Sequence, residues 1–396
     1  MMVGVFAGIA PVFALDPAKS IAQYVHRSWA VDDGLPQSSV SEIVQTDDGY
    51  IWVGTRDGLA RFDGARFTVF RRLNTPALLS NNITALAKGR DNVLWIGTTM
   101  GLVRYANGEF VSFSPQDGLL NDYITSILPD AEGRVWVGTG LGLVRSTVGP
   151  QTRFVPVPGA PTGGMLFARL LDKQGTIWFT TPRLYRLVGE TAQPVEVSDG
   201  LRTPTVNSAY QDRAGAVWFG TSAGIYRLQN GRIGLYARTP GPVMRMLVDA
   251  DGSLWATLDS AGLARLRAGQ WEKFTAEDGL SSDAAGPLYQ DREQNLWIGT
   301  TGGGLDGFSV GKFTSFGLPE GLPSDTTHAT LQDRRGNIWV GTRTGVTRLG
   351  PDGRTTSFSV RQGLSSYRSI RSPKAPTEAS GSARPKAWTG SAMNEC

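Results

Sequence analysis

Apolar and polar residues alternate in short runs along most of the chain, and turn residues separate the runs at even intervals. Alternation with period two sends every second side chain to the same face, so the pattern predicts many short, half-buried strands. The first complete set runs as follows. Ser39 to Gln45 is a strand, Asp47-Asp48-Gly49 a turn, Tyr50 to Thr55 a second strand and Arg56-Asp57-Gly58 a second turn. Leu59 to Phe62 then forms a third strand, Asp63-Gly64 a tight hairpin and Arg66 to Phe70 the outer strand. Four antiparallel strands of this length make one blade of a β-propeller.

Tryptophan sets the period. Trp52, Trp95, Trp136, Trp178, Trp218, Trp255, Trp297 and Trp339 are separated by 43, 41, 42, 40, 37, 42 and 42 residues, the range of propeller blades. Six of these eight carry Trp-x-Gly-Thr, as in Trp52-Val53-Gly54-Thr55; Trp178-Phe179-Thr180-Thr181 and Trp255-Ala256-Thr257 have lost the glycine. Aspartate stands six residues before the tryptophan at Asp130, Asp172, Asp212, Asp249, Asp291 and Asp333, commonly with a glycine three residues later. That is a turn signal, because aspartate bonds its own backbone and glycine supplies a positive φ. Asp33-Gly34-Leu35, Asp117-Gly118-Leu119, Asp199-Gly200-Leu201 and Asp278-Gly279-Leu280 recur between blades, with Glu320-Gly321-Leu322 and Gln362-Gly363-Leu364 as variants. The tryptophans are expected to be inter-blade core rather than a stacking platform for a ligand.

The succession Asp-Gly-Leu, Asp-x-x-Gly, Trp-Val-Gly-Thr, Gly-Leu-x-Arg and Phe-x-x-Phe, over residues 24 to 366, resembles the two-component regulator propeller repeat. The resemblance implies a periplasmic sensor region of a bacterial hybrid two-component, histidine kinase or diguanylate cyclase receptor. Relatives of that kind have two seven-bladed propellers, then a small β-sandwich, a membrane helix and a cytoplasmic output domain. The expected fold is therefore all-β, a β-propeller of four-stranded antiparallel blades, with a seven-bladed ring over 21–316 and the first blade of a second, truncated propeller over 317–366. A strand at Tyr24 to Ala30 precedes the first blade and is placed to close the ring by pairing with a late blade.

Composition changes this picture little. The 396 residues include 50 Gly and 22 Pro, only 19% are charged and 40% are hydrophobic, which suits short strands with tight turns and argues against disorder. The net charge is +4, of which +3 falls in residues 368–396, so the repeats are nearly neutral and nucleic acid is not an expected partner. The one cysteine, Cys396, excludes an intrachain disulfide, and with only His26 and His328 no histidine-rich metal site can form; no cofactor and no metal are expected. Residues 1–20 hold a signal-like apolar segment with small residues suited to cleavage after Ala14, too short to span a bilayer.

The repeat stops after Tyr367. The residues from Pro376 to Glu395 can be encoded by a DNA string that, read two bases into Pro376, gives Asp-Gly-Ser-Leu-Trp-Ile-Gly-Thr-Thr-Glu-Gly, with its tryptophan codon across Ser380 and Gly381, where the period places one. Residues 367–396 are thus expected to be an unstructured tail read in a shifted frame, with the product truncated before its output domain.

Successive connections of a blade alternate between the two ends of the strands, so the Asp-Gly-Leu crossovers and the Gly-Thr-x-x-Gly hairpins share one face. Their glycine frames persist while the tips vary, which suits a chemically uneven binding face. Arg56, Asp57, Asn82, Tyr123, Arg202 and Arg343 are the candidate ligand-binding residues there, and no catalytic residue is assigned. The expected partners are a small molecule or oligosaccharide and the cytoplasmic signalling module of the full-length receptor, with a homodimer left open. The rival functions are a protein-interaction scaffold and a propeller lyase or hydrolase; the latter needs a clustered acid and base, whereas the aspartates here sit mostly at turns.

Overall fold

A computed structural model describes residues 19–147, 152–197, 204–249, 252–267, 269–310, 316–318, 321–324, 326–350 and 354–359. The apolar leader up to residue 18, the tail over 367–396 and Arg202 lie outside the described residues. The described chain is all-β, with eight four-stranded antiparallel sheets and, as helix, only single 3-10 turns. No helix among the described residues is long and apolar enough to cross a membrane. Two compact units divide between residues 310 and 311.

The first unit is a seven-bladed ring. Blade 1 comprises Val40–Gln45, Ile51–Thr55, Gly58–Phe62 and Phe67–Phe70, and blades 2 to 6 repeat this order. Blade 7 takes only Ala285–Gln290, Leu296–Thr300 and Leu305–Ser309 from its own repeat; its outer strand is Val25–Trp29, from the start of the chain. The expected closing strand therefore pairs with the last blade. His26 on it stacks on Phe308 at 4.6 Å and sets its Nε2 2.8 Å from Oδ1 of the fully buried Asp306. Inner strands of neighbouring blades pack all round, including blade 7 on blade 1.

The repeat motif is explained residue by residue. Each motif tryptophan of the ring packs into the next blade: Trp52 with Ile83 and Ile96, Trp136 with Ile177 and Phe179, Trp297 with Ile51 and Val53. The aspartate six residues earlier holds two things at once. In blade 5, Asp212 Oδ1 accepts the Ala216 backbone N–H at 2.8 Å while Oδ2 accepts the Trp218 indole N–H at 2.8 Å. The same indole bond recurs at Asp130, Asp172, Asp249, Asp291 and Asp333, and Thr46 supplies it in blade 1. The arginine of Gly-Leu-x-Arg stacks on the tryptophan, with Arg227 4.7 Å from Trp218 and Arg145 5.0 Å from Trp136.

The glycine of Trp-x-Gly-Thr is required by close approach. A Cβ at Gly54 would stand 2.7 Å from Ile83 Cγ2 of the next blade, and one at Gly299 2.5 Å from Val40 Cγ1 across the closing seam. The threonine clamps the following hairpin, as where Thr55 Oγ1 donates to the Gly58 carbonyl at 2.8 Å. In the crossovers, Asp33 accepts the Ala30 N–H at 2.9 Å, Gly34 turns the chain at φ 103° and Leu35 is buried.

The second unit contains the eighth sheet, of Thr327–Gln332, Ile338–Thr342, Gly345–Leu349 and Thr355–Phe358, with the same Asp333–Trp339 bond.

Candidate functional site

With the motif residues tied into the scaffold, the tips and the axis of the ring remain as places for chemistry. On the crossover face, Arg56 is exposed at the tip of the blade 1 hairpin. Asp57 beside it is bound to structural neighbours: Asn81 Nδ2 donates to its Oδ1 at 3.0 Å, and Arg71 Nε lies 3.3 Å from its Oδ2 and donates to its carbonyl at 2.9 Å. Asn82 and Tyr123 occupy matching positions in blades 2 and 3, where each carbonyl accepts from a hairpin tip, Thr99 N and Gly140 N. Tyr123 is 39% exposed, so its ring is available at the surface. Arg343 is exposed on the eighth sheet, in the second unit.

The axis carries a group that the sequence reading passed over. Glu42, Arg169 and Arg245 are each the third residue of an inner strand, in blades 1, 4 and 6, counted from the crossover face. Arg245 Nη2 lies 3.5 Å from Glu42 Oε2, although blade 7 separates their blades in the ring. Inner strands of blades that are not neighbours meet only across the axis. Both side chains keep access to water, with 36% of Arg245 and 25% of Glu42 exposed. Burial pushes the Glu42 carboxyl above its ordinary value, against the pull of Arg245.

Arg169 has no carboxylate partner among the described residues. Its Nε donates to Thr180 Oγ1 at 3.1 Å and its guanidinium lies 4.7 Å from the Phe167 ring. Burial, with a further contribution from the like charge of Arg245, brings its pKa down to about 9. The two axial arginines belong to the two blades that lost the motif glycine. Thr180 replaces it in blade 4 and receives Arg169; Thr257 replaces it in blade 6, accepts the Arg245 backbone N–H at 3.2 Å and donates to the Gly286 carbonyl at 2.6 Å. The lost glycines were the one sequence signal that pointed to the axis.

His26 does not build a hydrolytic triad. Asp306 sits in the middle, taking His26 on one oxygen and the Ser281 hydroxyl, at 2.5 Å, on the other, so the serine is not bonded to the imidazole. The group is a latch on the closing strand. A separate cleft of about 350 Å³ opens at the seam of blades 7 and 1, lined by Arg27, Trp29, Asp63, Glu293 and Trp297 among others. No cluster of potential metal ligands occurs among the described residues.

The two component regulator propeller family model matches residues 34–57, 77–100, 118–140 and 321–344. The chain carries two-component regulator propeller repeats. A stretch of 70 residues is 44% identical to a protein named histidine kinase P4 of Formosa agariphila, covering 17% of this chain and 5% of that protein. Among solved structures, the extracellular domain assigned to a hybrid two component system of B. thetaiotaomicron matches 86% of this chain with a TM-score of 0.69 at 22% identity. The propeller-repeat chain spans 50% of that domain. A virginiamycin B lyase of Staphylococcus aureus has the same fold over 73% of the chain, with a TM-score of 0.58 at 15% identity. The neighbours thus include the extracellular domain of a hybrid two component system and lyases.

Proposed function

We propose that the chain is the extracytoplasmic, ligand-binding sensor region of a bacterial two-component-type receptor, non-enzymatic in itself and located in the periplasm. Its ring takes up a small molecule or oligosaccharide, and the state is passed to a cytoplasmic signalling module of the intact receptor. Residues 317–366 belong, in this reading, to the first blade of a second propeller. The observation that carries it is the joint occurrence of the repeat family with a ring similar, over most of the chain, to the extracellular domain of a hybrid system. The axial charges support binding, since fixed, partly desolvated charges recognise ligands. Against a lyase stands the placement of the histidines, His26 latched to Asp306 on the outer closing strand and His328 on the eighth sheet. The crossover tips Arg56 and Tyr123 would flank a ligand held at the axis.

The test is a thermal-shift screen of the 396-residue chain against neutral and acidic mono- and oligosaccharides, followed by calorimetry. A ligand at about 100 times its Kd adds about 2.7 kcal/mol of stability. Turnover of a bound compound would favour the lyase or hydrolase reading, and binding only to other proteins the scaffold reading.

A further inference from the structure

We propose that the axis of the seven-bladed ring is a binding site for the carboxylate of a small acidic ligand, held between Arg169 and Arg245, with Glu42 as the internal counter-ion. This deepens the sensor reading and rests on it.

Arg245 and Glu42 pair across the axis and Arg169 holds the matching strand position in blade 4, so among the described residues two guanidinium groups are set against one carboxylate. A guanidinium keeps its proton through the physiological range, so the proximity of Arg169 and Arg245 is a standing cost that an anion between them removes. The planar fork of arginine matches a carboxylate through paired N–H bonds, and among the described residues only Nε of Arg169 is taken, by Thr180. One surplus charge suits a singly charged carboxylate better than a doubly charged phosphate, which would have to sit beside Glu42 as well. The arrangement is also costly to the scaffold. Both blades gave up the glycine on which the other inter-blade seams rely, and in each the replacing threonine bonds to its arginine, side chain in one blade and backbone in the other.

The experiment uses matched pairs that differ by the carboxylate: acetate against acetamide, and glucuronate against glucose, with inorganic phosphate as a third anion, titrated calorimetrically into the 396-residue chain. The acids are expected to bind at least tenfold more tightly than their neutral partners and more tightly than phosphate. Arg169→Gln and Arg245→Gln should each weaken the acid at least tenfold, and Glu42→Gln should tighten it several-fold. Arg169→Lys and Arg245→Lys, which keep the charge and lose the fork, should fall between wild type and the glutamine variants; near-ultraviolet circular dichroism verifies that each variant is folded. Equal binding of acid and neutral partner, retention of acid binding in folded Arg169→Gln and Arg245→Gln, absence of acid binding, or a preference for phosphate would each overturn the proposal. If glucose binds as well as glucuronate, sensing of small molecules survives and only the axial carboxylate site is lost. If glucose and both acids all fail to bind, the proposal falls, and the sensor reading is then decided by the wider saccharide screen.

Discussion

The seams between blades and the axis of the ring are built from the same repeats and obey opposite rules. At a seam, every motif residue has a partner: tryptophan with the next blade, aspartate with turn and indole, threonine with its hairpin carbonyl. At the axis, residues in matching strand positions differ from blade to blade, and a guanidinium is left without a counter-ion among the described residues. The difference teaches that the recurring residues of this chain make the scaffold, and that specificity belongs where the recurrence is broken. A seam tolerates few changes because its parts interlock, whereas an axial side chain varies from blade to blade.

The largest expected effect is at a seam. Trp136→Ala should lower stability by roughly 3 to 5 kcal/mol in chemical denaturation, because it opens a cavity between blades 3 and 4. Asp212→Ala should cost about 1 to 3 kcal/mol, since it leaves the Trp218 indole and the Ala216 N–H unpaired. If either variant changed ligand affinity without changing stability, the separation of seam from axis would be lost. Arg169→Gln should keep wild-type stability or raise it slightly, as it removes a desolvated charge with no counter-ion among the described residues; a loss as large as that of Trp136→Ala would make Arg169 part of the scaffold. Arg56→Ala at an exposed tip should change stability by less than about 0.5 kcal/mol.

The smallest effect is a pH signature at Glu42. Its folded-state pKa lies above the ordinary value of 4.5, so its contribution to stability is fully present below that pH and is lost as the pH rises through the folded value. The melting temperature of Glu42→Gln, taken relative to wild type, should therefore climb from pH 4 to pH 7. A constant difference would remove the charge strain from the axis.

Most of the architecture was legible in the sequence because a repeat samples the same physical demand many times. The period gave the blades, and the alternation at Tyr24 to Ala30 gave the closing strand, which the structure pairs with blade 7. The aspartates were read as turn residues, and their second bond, to the indole, was missed, although a constant six-residue spacing to tryptophan was its trace. The candidate site was less legible. Strand parity pointed to hairpin tips such as Asp57, whose carboxylate is already engaged by Asn81 and Arg71. It could not bring together Glu42 and Arg245, which lie far apart in sequence and meet only when the ring closes, or set Arg169 at the same level of the axis. Thr180 and Thr257 were noted as lost glycines, but what each threonine bonds to is set by its neighbours across the blade.

The crystal structure of the chain with a saturating carboxylate tests the division between scaffold and axis most directly. The account predicts density for the carboxylate between Arg169 and Arg245, with the Glu42 side chain turned away from Arg245 and every tryptophan seam unchanged. A ligand held instead at Arg56 and Tyr123, or in the cleft of Trp29 and Trp297, with the axis empty, would contradict it.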